Sequence, residues 1–169
     1  GSDGGIAGAV APAARATAIG TDAEASGIGS GSIGRDSESR ALDSVALGTI
    51  AAATADLSTS VGPQSAATGA ASTAVGARAS SGANFASAFG DRANASGLAS
   101  TAVGFAAQAS SGNATAVGPG AVASGLTSIS LGSQAGASAN QSIAIGDRAP
   151  ASPPRRVALA AGSIPNSAN

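Results

Sequence analysis

Large apolar residues recur along this chain at a single spacing. Ile19, Ile33, Leu47, Val61, Val75, Phe89, Val103, Val117, Leu131 and Ile145 stand fourteen residues apart, and Leu159 holds the eleventh place. A glycine follows each of the first ten, from Gly20 to Gly146, with no insertion or deletion; Ala160 replaces it in the eleventh unit. Two positions before that glycine only Ala or Ser occurs, as at Ala18, Ser32, Ala102 and Ser130. Three before it β-branched residues are favoured, as at Thr17, Val45, Thr101 and Ile143. Three and five after it every site is Ala or Ser. Between these, at four and six after, come Ser, Thr, Glu, Arg, Asn and Gln, as at Glu24, Arg40, Asn94 and Gln108. Alternation of period two on both halves of the unit predicts two short strands per repeat.

A fourteen-residue period is also two heptads, but a coiled-coil seam needs apolar residues three and four apart. Here the two large slots are two apart, and the other half of the unit carries none. A glycine in every unit would cost a helix about 1 kcal/mol each time. Helical solenoids need longer repeats, and collagen needs glycine at every third position. The pattern therefore predicts an all-β, parallel β-solenoid of two-strand coils, stacked at about 4.8 Å into a rod roughly 50 Å long. The glycine suits one tight corner through positive φ or close backbone approach. Asn84, Asn113 and Asn140 mark the opposite corner.

The alternation also assigns faces. Ala, Ser and Gly point into the coil, so its interior is thin, and each buried methyl contributes less than about 1 kcal/mol. The Val, Ile, Leu and Phe slot lies on the outer face of the same strand, as one apolar stripe along the rod. Stripes of that size mark an interface. The expected consequence is an obligate oligomer whose main hydrophobic core lies between chains, lined by Ile19, Ile33, Leu47, Val61, Val75, Phe89, Val103, Val117, Leu131, Ile145 and Leu159.

Composition narrows the function classes. The 169 residues include no Cys, His, Trp, Tyr, Met or Lys, three Phe and 25 Gly. Such Gly/Ala/Ser-rich composition is compatible with disorder, but disordered sequence does not hold a fixed register. Without Cys and His there is neither a disulfide framework nor a zinc site of the usual kind. The commonest general bases and two common covalent nucleophiles are missing with them. A net charge of −1 leaves no footprint for nucleic acid or an acidic membrane. No apolar run approaches the roughly 20 residues of a membrane-spanning helix, and no signal peptide is visible.

The units SVALG (Ser44 to Gly48), STAVG (Ser72 to Gly76 and Ser100 to Gly104) and SIAIG (Ser142 to Gly146), each followed by a small-x-small-x-small half, resemble the head repeat of trimeric autotransporter adhesins, the YadA-like family. The resemblance covers about Ala16 to Leu159. It implies a left-handed parallel β-roll, three chains side by side as a homotrimer, with the Val/Ile face turned to the threefold axis. It also implies a non-enzymatic adhesin, exposed at the bacterial surface as a passenger of the outer membrane. Its partners would be other copies of itself and a host extracellular matrix protein or cell-surface receptor. Neither nucleic acid nor a cofactor is expected, and membrane contact only through a C-terminal anchor outside this sequence. By this reading residues 1–15 are a tag remnant (Gly1-Ser2) and an N-terminal cap or frayed end, and 16–148 are head repeats. Residues 149–169 are a degenerate last coil and a neck-like segment, RRVALAAG (Arg155 to Gly162), in which Pro150, Pro153 and Pro154 interrupt strand chemistry.

Few side chains stand out as functional. Asp22 and Asp36 share one slot, as do Glu24 and Glu38, so these carboxylates stack one coil apart. Stacked acids suit a hard cation such as calcium, but Arg35 and Arg40 favour a solvated, charge-mixed surface instead, and no metal site is expected. Phe85 and Phe105 fall at corners and are the candidate ligand contacts, against the alternative of local packing. Two other β-solenoid roles compete: ice binding through the column of Thr17, Thr59, Thr73, Thr101 and Thr115, or a purely structural spacer. The Thr column is interrupted by Val45, Ile129 and Ile143. A carbohydrate-active β-helix would use the clustered acids, which here lack an aromatic platform.

Overall fold

The structure, a computed structural model, describes residues 8–152 and 154–159. Its elements are short and all extended. Eleven three-residue strands, from Thr17–Ile19 to Val157–Leu159, form one parallel sheet. Ten two-residue strands, from Glu24–Ala25 to Pro150–Ala151, form a second parallel sheet. Each strand pairs with the one fourteen residues on, as Thr101↔Thr115 and Ala102↔Ala116 do, so the chain is a β-solenoid of stacked coils with one unbroken register. Nothing in the described residues is helical, despite the alanine content.

Two corners per coil turn the chain from one sheet to the other. At the first, Gly104 has φ +127, and a β-carbon there would lie 2.8 Å from the carbonyl carbon of Gly118 in the next coil. Only glycine meets both demands, positive φ and close approach of stacked backbones. Each corner also holds a left-handed residue, two or nine positions after that glycine, as at Arg92 (φ 57) and Asn113 (φ 54). At the second corner Asn84 and Asn140 do more than turn: their Oδ1 atoms accept the Ala70 and Leu126 N–H of the preceding coil, each at 3.0 Å.

Every buried residue among those described is Ala, Ser or Gly. Most of the buried hydroxyls find partners, whereas those of Ser30, Ser100 and Ser128 have none among the described residues. Ser32 and Ser37 pair at 2.7 Å, Ser39 and Ser44 at 2.8 Å, and Ser60 and Ser65 at 2.7 Å. Beyond Ser81 the interior is mainly alanine; one continuous alanine cluster runs from Ala67 to Ala123 and a second from Ala135 to Ala158. A core of methyls two strands apart is close-packed but small. The large side chains are all outside it.

The stack reaches past the repeats that are plainest in sequence. Val10 bridges Glu24, and its N–H bonds Ala23 O at 2.8 Å. At the other end Pro150 does not break the sheet but forms its last strand with Ala151. In this slot the N–H donates to the following coil, as Gly136 does to Ala149 O. Pro150 has no following strand among the described residues, so its missing donor breaks no ladder bond described there. Residues 1–7, which include Gly1-Ser2 and Asp3, lie outside the described residues, as do Pro153 and Ala160 to Gly162 of the neck-like segment.

Candidate interface and binding surfaces

The outer face of the eleven-stranded sheet carries the large apolar column. Ile19, Ile33, Phe89, Ile145 and Leu159 are exposed, and Leu47, Val61, Val75, Val103, Val117 and Leu131 are half-buried. What cover they have comes from stacking along the column: Phe89 is in register with Val75 on one side and Val103 on the other. Alongside runs the column three before the glycine, with Thr59↔Thr73 and Thr101↔Thr115 in register. It is broken by Val45, Ser87 and the Ile129↔Ile143 pair. The outer face of the ten-stranded sheet is different, presenting small and polar residues such as Asn94, Ser96, Gln108 and Ser110.

Part of the charge in the acidic coils is paired internally. Glu24 and Glu38 are in register as the sequence pattern requires, and the Arg40 guanidinium reaches both, at 3.2 and 2.9 Å. Ser26 donates to the other oxygen of Glu24 at 2.9 Å. Asp36 is paired with Arg35 at 2.6 Å. These pairs are largely solvated, so each contributes little to stability. Among the described residues no cluster of three acids converges on a point.

At the corners, Phe85 is 63% and Phe105 53% exposed, so both present more than half of their surface in the single chain. The Arg92 guanidinium lies 5.7 Å from the Phe105 ring centroid, a stacking contact one coil apart. Arg78 meets Asp91 at 3.3 Å on the same corner.

The structure adds residues that the strand pattern did not single out. Ile28, Leu42, Leu57, Leu98 and Leu126 are exposed on the second corner with Phe85, and Ile50 on the first with Phe105. The signal was available in the slots eight and nine after the glycine, where turn chemistry asks for Gly, Asn or Asp. Ile50 and Leu57 both have φ 59. A bulky left-handed residue costs roughly 1–2 kcal/mol, and here it also exposes apolar surface. Near the C-terminal end the second corner flanks an open cleft of about 380 Å³, lined by Leu126, Asn140, Gln141, Pro154 and Arg155, with Arg155 bonded to Gln141 Oε1 at 3.0 Å.

The model of the family described as YadA head domain repeat (2 copies) matches residues 7–23, 11–37, 39–65, 53–79, 80–107, 95–121 and 123–149. No curated protein matches the chain.

Proposed function

Since this chain belongs to the YadA head repeat family, we propose that it is the head of a trimeric surface adhesin, a left-handed β-roll assembled side by side about a threefold axis. The observation that carries this reading is the apolar column from Ile19 to Leu159 on the outer face of a coil whose interior holds only Ala, Ser and Gly. A core that small leaves the chain short of burial, and covering the exposed part of each large outer residue is worth on the order of 1 kcal/mol. Three copies that turn this sheet inward bury the column and leave the small, polar sheet in water. The neck-like Arg155 to Gly162 would then lead toward a stalk and membrane anchor in the full-length protein.

In this role the rod works by display. It offers the same shallow corners at every coil, on three chains, and catalyses nothing. Attachment to an extracellular matrix protein or a host-cell receptor then rests on many weak contacts, whose avidity grows with the number engaged. Phe85 and Phe105 serve such contacts only where assembly leaves them free.

Light scattering on the purified chain tests the assembly: a mass of three chains is expected, and a folded β-rich monomer overturns it. Beads coated with the chain, washed over immobilised matrix proteins and cultured cells, test the adhesive role. Retention that falls when the trimer is dissociated is expected. A trimer that retains no beads on any surface makes the rod a spacer instead.

A further inference from the structure

We infer that the two corners of the coil form a seam between copies of this chain, the second corner of one protomer packing on the first corner of its neighbour at the same height. The inference rests on the threefold assembly proposed above and names the contacts that close it.

The geometry begins with where the corners lie. The strands of the eleven-stranded sheet run between them, so the corners are the two long edges of the face that carries the apolar column. When copies turn that face toward a common axis, the left edge of each meets the right edge of the next. Cyclic closure is heterologous in just this way. A pure rotation also keeps height, so residues meet that are about half a coil apart in sequence. One coil rises only about 4.8 Å.

The side chains match at those heights. The second corner carries the exposed residues Ile28, Leu42, Leu57, Phe85, Leu98 and Leu126. The first carries two large apolar residues, Ile50 and Phe105. Ile50 is eight residues from Leu42 and seven from Leu57, and Phe105 is seven from Leu98. Leu126 is seven from Pro119 on the first corner. Phe85 falls midway between Arg78 and Arg92, seven residues from each, where a guanidinium can lie over its ring. Polar residues share these heights too: Ile28 has only Thr21 and Arg35, while Leu42, Leu57, Leu98 and Leu126 each have a polar residue, Arg35, Gln64, Asp91 and Ser133, seven positions away on their other side.

Strain points the same way. Leu57 and Phe85 hold left-handed backbone at φ 59 and 60, where Asn or Gly would be easier and more soluble. Retaining them has a physical reason once a neighbour covers them. The second corner is thereby assigned a second copy of this chain as its occupant.

The chain has no cysteine, so introduced pairs report cleanly. The double variant Leu98→Cys, Phe105→Cys places its two thiols on opposite edges of one protomer, too far apart to close within a chain. Oxidation, or a short bis-maleimide, is expected to give a ladder ending in covalent trimer on denaturing gels. The pair Ile50→Cys, Leu98→Cys, separated by 48 residues and therefore more than three coils, is expected to stay single-chain. If the L98C/F105C protein has the mass of a trimer in solution yet neither reagent links it, the seam is wrong and the assembly stands. If the unaltered chain is a monomer, the assembly reading itself has failed.

Discussion

Gly97 lies flat against the carbonyl oxygen of Ser111 in the following coil, leaving no room for a β-carbon. The same closeness recurs where Gly27 meets Ala41, Gly69 meets Ala83 and Gly125 meets Ala139. In each pair the glycine is followed one coil later by Ala or Ser, a residue that fills the space the glycine yields. Gly97→Ala must push two stacked backbones apart, an overpacking that costs roughly 1–3 kcal/mol. Gly136→Ala, with nothing near its missing β-carbon and ordinary φ, is the matched control. Thermal unfolding should show a clear loss for the first and no loss for the second.

The interior is as intolerant as that corner. Ala102 is fully buried, in register with Ala88 and Ala116. Ala102→Leu adds volume where two sheets already touch through methyl groups. We expect expression as an unfolded or aggregated chain, or a thermal midpoint lowered by several degrees, read by circular dichroism. Leu at the outward site Gln108, which is exposed, should leave the midpoint within a degree or two.

These features differ in how readable they were beforehand. The strand slots were legible because burial in a two-strand coil imposes strict alternation, and fourteen-residue spacing repeats it ten times over; Ala102 and Val103 could be assigned opposite faces from letters alone. Phe85 and Phe105 were legible as corner residues because they fall outside both strands. Leu57, Leu98 and Leu126 escaped notice for the opposite reason. Turn slots obey backbone chemistry, and a large apolar residue there satisfies none of its rules, so nothing in the alternation flags it. Pro150 reads as a strand breaker because proline cannot donate to the ladder, yet no described strand follows it to need that donor.

Removing Arg40 should expose what holds the acidic coils. Arg40→Ala leaves Glu24 and Glu38 in register without a cation between them. Both carboxylates are more than a third exposed, so the loss is expected to stay below about 1 kcal/mol. It should be largest at low ionic strength and shrink as salt screens the pair. Chemical denaturation at two salt concentrations checks both the size and the trend.

The apolar column makes a sharper prediction, because charge there is intolerable only if another chain covers it. Val103 is half-buried in the column, whereas Ser96 is exposed on the other sheet. Val103→Asp should dissociate the assembly, with three buried carboxylates introduced at once, while Ser96→Asp should keep the wild-type mass. Light scattering reads the outcome directly. Equal masses for the two variants would mean that the column faces water.

Leu57→Asn separates a free corner from a covered one by the sign of its effect. At φ 59 asparagine is an easier residue than leucine, and the side chain it replaces is 58% exposed in the single chain. In an isolated protomer the change should therefore stabilise, by about 1 kcal/mol from relieved backbone strain. In an assembly where Leu57 packs against a neighbour's Ile50, lost apolar burial of about 1–2 kcal/mol per chain, together with desolvating the asparagine amide, outweighs that gain. The expected result is a lower thermal midpoint in the assembled protein. A higher midpoint would place Leu57 in solvent and leave its strained backbone to be explained by a different partner.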